Sequence, residues 1–174
     1  MKKILFFFFT SLFLFSCSNE QEFDKNFVEA LDAGVSLHVI CDDVCNQTST
    51  AWHKAIFDHR DMNGRTVTSV EEGIRNLHKV IDFESQYILV DPKTAELNSI
   101  VKRFENCPKS RKEAYEDLLE YISSINDLSN LAVYPEGTLQ SYNSSTTDLS
   151  RSIRKQYGKI KLKYSSIIEN THKQ

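Results

Sequence analysis

The chain is predicted to fold as an all-α, up-down bundle of four to five helices, on three observations. Apolar residues recur at steps of three and four through most of its 174 residues. No stretch alternates long enough to compete as a strand. The segments between the periodic stretches are short, which favours antiparallel neighbours.

The first stripe is Phe27, Leu31, Val35, His38, Cys41, Cys45, Thr48, Trp52 and Ile56, one face of a long helix placed from about Asp24 to Phe57. Asn63-Gly64 is a turn signal that ends it. A second helix is expected from about Val67 to Ile88, with Ile74, Leu77, Ile81 and Tyr87 apolar. Asp91-Pro92 reads as an N-cap followed by proline at the first helical position, so a new helix starts there or the old one kinks. Leu97, Ile100, Val101 and Phe104 supply its stripe, and Cys107-Pro108 interrupts it. The clearest helix runs from about Ser110 to Leu131, with Tyr115, Leu118, Leu119, Ile122, Ile125 and Leu128 on one face.

A substantial loop is expected from Tyr134 through Thr146. Pro135-Glu136-Gly137 makes a tight reversal, because proline fixes one backbone angle and glycine tolerates a positive φ. Leu139 and Tyr142 then fold back over the open end of the bundle, a capping role preferred to that of a recognition loop. Ser145 with Asp148 has capping-box spacing, so the last helix is placed from about Asp148 to Asn170.

Ahead of this domain stand Lys2 and Lys3, an apolar run from Ile4 to Leu14, then Phe15-Ser16-Cys17 and polar Ser18-Asn19-Glu20. A run of about a dozen apolar residues is short of the roughly 20 needed to span a bilayer. Bulky Leu14 suits ordinary signal peptidase poorly, whereas Leu14, small Ser16 and then a cysteine resemble a bacterial lipoprotein signal. The organisation that follows is a signal peptide over 1–16, a lipidated tether over 17–23 and a helical domain over 24–174. Acyl chains on Cys17 would hold the protein durably on a membrane of the cell envelope. Ser18 lacks the aspartate that retains enterobacterial lipoproteins at the inner membrane, so in a Gram-negative cell the outer membrane is favoured, periplasmic or surface-facing.

Loss of residues 1–16 removes two lysines and takes the formal charge from −3 to −5. The segment from Asp148 onward carries Arg151, Arg154, Lys155, Lys159, Lys161, Lys163 and Lys173 against Asp148 and Glu169, so the remainder is strongly acidic. Nucleic acid is not an expected partner of such a chain outside the cytoplasm. Glu-x-x-His pairs of diiron bundles, the Cys-x-x-Cys-His haem signature, glycine-rich phosphate loops, Gly-x-Ser-x-Gly elbows and His-Glu-x-x-His helices are all absent from the sequence. The reading is accordingly non-enzymatic, with no cofactor.

Trp52-His53-Lys54-Ala55-Ile56 and the stretch Asn130-Leu131-Ala132-Val133-Tyr134-Pro135-Glu136-Gly137-Thr138-Leu139-Gln140-Ser141-Tyr142 resemble a pattern in small uncharacterised helical bacterial lipoproteins. Those carry Trp-x-x-Ala-Ile and Asn-Leu-Ala-x-x-Pro-x-Gly-Ser/Thr-Leu with a following aromatic. The resemblance implies a fold and a location and no chemistry. Where the family often has a double proline, this chain has Cys107-Pro108-Lys109.

Three candidate sites remain. In an oxidising envelope two of Cys41, Cys45 and Cys107 should pair, and a bridge from Cys107 to Cys41 or Cys45 is preferred over one within the first helix. His38, Cys41 and Cys45, with Asp42 and Asp43 nearby, form a stripe that suits a metal or small ligand, although core packing explains the same stripe without one. Arg151, Arg154, Lys155, Lys159 and Lys161 offer a face for anionic lipid heads, lipopolysaccharide or an acidic protein, or simply balance the acidic remainder. His53, His59, Asp58 and Asp61 are read as solvated. The expected function is an envelope lipoprotein, held to the membrane through Cys17, whose helical ectodomain is an interaction or accessory module for an unknown envelope protein or anionic surface. The alternative is a small-ligand or metal-binding bundle.

Overall fold

The computed structural model describes the backbone of residues 2–104 and 107–171, and the side chains of residues 19–104 and 107–171. The expected all-α bundle is what forms, with no β-strand among the described residues. Helix α1 spans Lys2–His53, α2 Val70–Leu77, α3 Ile81–Val101, α4 Lys112–Val133, α5 Leu139–Lys163 and α6 Ser165–Thr171.

The four long helices run up, down, up and down. Arg103 at the end of α3 meets Glu29 near the start of the domain at 2.9 Å, and Arg111 just before α4 meets Asp24 at 2.8 Å. Lys163 at the end of α5 returns to Glu113 at 2.8 Å. Helices α1 and α4 therefore point the same way and pack side by side, with α3 on one flank, mainly against α1, and α5 on the other, mainly against α4. Phe27, Leu31, Leu37, Cys41, Val44 and Cys45 of α1 form the spine of the core, facing Leu118, Tyr121, Ile122, Ile125 and Leu128 of α4. The lower end is closed by edge-to-face aromatic pairs, Phe23 with Phe104 at 5.1 Å and Phe27 with Tyr164 at 5.6 Å.

The close approach of α1 to α4 depends on Gly34. A Cβ at this position would lie 2.8 Å from Cε1 of Tyr121, whose ring is wholly buried. Glycine costs helix propensity, and here it yields the space that a large aromatic fills.

Several boundaries differ from the expectation. Helix α1 does not begin at Asp24 but is continuous from Lys2, so the expected tether over 17–23 is helical. It is already docked at Glu20, which accepts a hydrogen bond from Ser110 at 2.6 Å, and Phe23 is buried. The helix predicted over Val67–Ile88 is two helices. After Leu77 the chain tightens through Lys79 N–H to Asn76 C=O and Val80 N–H to Leu77 C=O, and extended Val80 turns it into α3. Pro92 does not start a helix; it lies inside α3. It is exposed, as is Ile88, so the carbonyl left without a donor is on the water side.

Helix α5 begins nine residues earlier than expected. Thr138 and Ser141 form a reciprocal capping box, at 3.2 Å and 2.9 Å, ahead of the Ser145 and Asp148 pair. Thr146 bonds back to the carbonyl of Tyr142 at 3.0 Å and is carried within the helix. Asp61 is also not solvated. It is 1% exposed, accepts from the backbone N–H groups of Asn63 and Arg65, both at 2.9 Å, and holds Asn76 at 3.1 Å. This carboxylate organises the turn in which Gly64 has φ 78°.

Gly34→Val should lower stability by about 1–3 kcal/mol, because the overpacked side chain must displace Tyr121. Urea denaturation of the purified protein measures this; an unchanged midpoint would contradict the packing described.

Candidate functional site

The two stretches that resemble the lipoprotein pattern meet at the upper end of the bundle. Trp52 lies in the last turn of α1, and its ring contacts that of Tyr142 in the first turn of α5, with centroids 5.7 Å apart. Tyr142 is buried, as its expected capping role requires. Between them the chain reverses through Pro135-Glu136-Gly137, where Gly137 has φ 85°. Helix α2 lies across the same end. Its Gly73 sits so close to the π-helical turn Lys54–Asp58 that follows α1 that a Cβ would come within 2.7 Å of the Ala55 Cβ.

The space between α2 and the Pro135 turn is a groove of about 510 Å³. Trp52, Val70, Ile74 and Pro135 give it an apolar floor, and Glu71, Arg75, His78 and Glu136 a polar rim. His78 is braced edge-on by Tyr87 at 4.6 Å and Phe83 at 5.1 Å. Helix α2 is set by its own cap: Ser69 accepts from the Glu72 N–H, while Glu72 accepts from the N–H and hydroxyl of Thr68 at 2.8 Å. Hydrogen bonds from its own backbone N–H and from Ser69 hold Glu71 below the ordinary carboxylate range. The rim thus carries both signs of charge over an apolar floor, which suits recognition of an amphipathic surface.

No family model, curated protein or solved structure matches this chain.

The other candidate residues fall elsewhere. The side chain of Cys17 lies outside the described residues. Cys41, Cys45 and Cys107 are free thiols, and the expected bridge to Cys107 is not formed. Cys107 lies at the lower end beside Phe23 and Asn26. Cys41 is fifteen residues beyond Asn26 along a straight helix, a rise of about 22 Å, well past disulfide reach. Burial pushes the Cys41 thiol up to about 12, reinforced by Cys45, and the Cys45 thiol up to about 11. Both are protonated core groups.

His38 turns away from them to Ser150 on α5, with Nε2 and Oγ 2.9 Å apart. Burial lowers its pKa, with Arg154 adding to the effect and Asp42 opposing it. No group of three or more His, Cys, Asp or Glu side chains is placed to hold a metal among the described residues.

The basic face of α5 is largely committed within the protein. Lys159 pairs with Asp117 at 2.8 Å, Arg151 with Asp148 at 2.9 Å, and Arg154 with Asp42 at 3.7 Å. Lys163 adds Glu113 and Asp117, both at 2.8 Å, and the Tyr164 hydroxyl donates to Asp117 at 2.6 Å. Burial alone would raise the Asp117 carboxyl. The hydrogen bonds from Lys159, Lys163 and Tyr164 outweigh it and hold the group far below the usual carboxylate range. Among the described residues Lys155 and Lys161 have no carboxylate partner, and Lys161 lies 6.0 Å from the centre of the Tyr157 ring.

The residues of α2 were not singled out from the sequence. The usable signal was Thr68-Ser69 followed by Glu72, a helix start with a cap on both sides. Thiol-reagent kinetics should show Cys107 reacting first and Cys41 and Cys45 at least about 100-fold more slowly, at the rate of unfolding. Equal rates for all three would contradict the burial of the α1 pair.

Proposed function

We propose that this chain is a lipid-anchored envelope protein whose helical ectodomain is a non-enzymatic docking module, presenting the groove between α2 and the Pro135 turn to a partner protein. The observation that carries this reading is convergence. Two sequence stretches about eighty residues apart, both part of the lipoprotein resemblance, supply Trp52 and Pro135 to one groove at one end of the bundle.

The position of Cys17 gives the groove its orientation in this reading. Helix α1 runs unbroken from Lys2 to His53. Cys17 and Trp52 are 35 residues apart, so the helical rise separates them by about 50 Å. Anchored through Cys17, the bundle holds its groove at the membrane-distal end. No helix among the described residues is long and apolar enough to cross a membrane, and acyl chains on Cys17 supply the anchor instead. The intramolecular pairing of Arg151, Arg154, Lys159 and Lys163 favours the groove over the basic face as the docking surface.

The test is photo-crosslinking in intact envelopes from the position of Glu136, with mass spectrometry of the adducts and of the Cys17 peptide. A diacylglyceryl mass on Cys17 is expected, together with a discrete protein adduct reduced at least about tenfold by Arg75→Glu with no change in melting temperature. An unmodified Cys17 overturns the anchor. An adduct insensitive to Arg75→Glu but lost in Lys155→Glu with Lys159→Glu moves the docking surface to α5.

A further inference from the structure

A second cleft, of about 490 Å³, runs along the side of the bundle where α1 and α5 part. It exists because α5 is drawn onto α4. Lys159, Lys163 and Tyr164 all converge on Asp117, whereas the ion pair from α5 to α1 at the cleft is the longer one from Arg154 to Asp42 at 3.7 Å, beside the shorter hydrogen bonds of His38 with Ser150 at 2.9 Å and Ser49 with Asn143 at 2.6 Å. His38, Asp42 and Asp43 come from α1, Arg154 and Tyr157 from α5, and Tyr121 from α4 beneath.

Tyr121 is the unusual member. Its side chain is wholly buried and its hydroxyl has no hydrogen-bond partner. Two other buried polar atoms share that condition among the described residues, the amide oxygens of Asn126 and Gln156. Their amide nitrogens are bonded, to Asn98 and Glu120, both at 3.2 Å. An unpaired buried hydroxyl forfeits its hydrogen bonds to water, and phenylalanine would fill the same space without that cost. The hydroxyl lies at the level of Gly34, 3.2 Å from where a Cβ would stand.

The charges along the cleft are uneven. Asp42 and Asp43 stand at its upper end, eight and nine residues beyond Gly34 and so about 12 Å above it. Asp32 is close enough to Tyr121 to act on it electrostatically at the lower end. Among the described residues Arg154 is the one lysine or arginine lining the cleft, and its one carboxylate contact is Asp42. His38 is tied to Ser150, and its burial favours the uncharged ring. Between the two ends run the apolar side chains of Val35 and Val39, opposite Tyr157. Val39 is 62% exposed, an apolar surface left uncovered beside the carboxylates.

We propose that this cleft binds an aliphatic polyamine. One ammonium group sits between Asp42 and Asp43, the methylene chain lies on Val35 and Val39, and a second nitrogen donates to the Tyr121 oxygen. A phenol accepts such a bond, and the face of Tyr157 attracts a cation, as the approach of Lys161 shows. A carboxylate ligand would have to take Arg154 from Asp42 and sit against two aspartates. A purely apolar ligand would strip water from both carboxylates and leave the Tyr121 hydroxyl unpaired.

Titration calorimetry of the full chain in detergent micelles at low salt, with spermidine, putrescine and hexanoate, tests the proposal. Spermidine should bind at one site. Asp42→Asn with Asp43→Asn should weaken it at least tenfold, and Tyr121→Phe several-fold, with each variant shown to be folded by its thermal transition. Putrescine, too short to span both ends, should bind at least tenfold more weakly. Glu71→Gln with Glu136→Gln, in the distal groove, should leave the affinity unchanged. Equal weakening by that control shows diffuse attraction to an acidic chain and overturns the site. Absence of heat, indifference to Tyr121→Phe, or binding of hexanoate in place of spermidine overturns it as well.

Discussion

The structure depends on the contact between two parallel helices. Parallel neighbours cannot be consecutive in an up-down bundle, so nothing in the local connections brings α1 and α4 together. Packing does: Gly34 removes a side chain from α1, and the Tyr121 ring of α4 occupies the space. Once that pair is set, α3 and α5 cover the remaining apolar faces from opposite flanks. The same contact buries a hydroxyl with no partner, which is a cost the packing alone does not require.

Charge then decides how closely each flank is covered. The acidic and basic segments attract one another within the domain, and most of that attraction is spent between α4 and α5. Asp117 gathers two lysines and a tyrosine, while its counterpart on the α1 side is a single longer pair between Asp42 and Arg154. Exposed pairs of this kind contribute little individually, typically below about 1 kcal/mol. A cluster around one largely buried carboxylate fixes geometry more firmly. The result is a bundle whose α4–α5 seam is charge-clamped and whose α1–α5 seam carries a lateral cleft.

Helical periodicity made the fold class legible, because buried positions such as Phe27, Leu31, Leu118 and Ile125 repeat on one face whatever their partners are. Boundaries were harder where two signals competed. Thr138 and Ser145 both head plausible capping boxes, and the earlier one acts because it directly follows the Pro135 reversal. Proline at position 92 is read locally as a start or a kink, yet tolerance of it inside α3 depends on exposure, a tertiary property. The expected disulfide failed for a similar reason: spacing cannot show that Cys107 and Cys41 lie at different heights of the bundle. The Trp52 and Pro135 stretches were visible in the sequence, but their meeting was not, and α2, which completes the groove, carried only its capping signal. The lateral cleft was half visible, since Asp42 and Asp43 stand near the stripe of His38, Cys41 and Cys45 on α1, whereas Tyr121 and Arg154 come from helices whose facing partners periodicity leaves open.

The functional reading joins these features through length. In the proposed reading, a helix continuous from the level of Cys17 to Trp52 would make the domain a stiff spacer, and the docking of Glu20 and Phe23 would leave little slack beside an anchor on Cys17. The groove would then be held at a defined height and not on a floating tether. Energy transfer from a fluorophore introduced at position 136 to head-group acceptors, with the lipidated protein in phospholipid vesicles, measures that height directly. A closest approach of about 50 Å is predicted from the helical rise, and a value below about 20 Å, as for a bundle lying flat or swinging freely, would contradict the account.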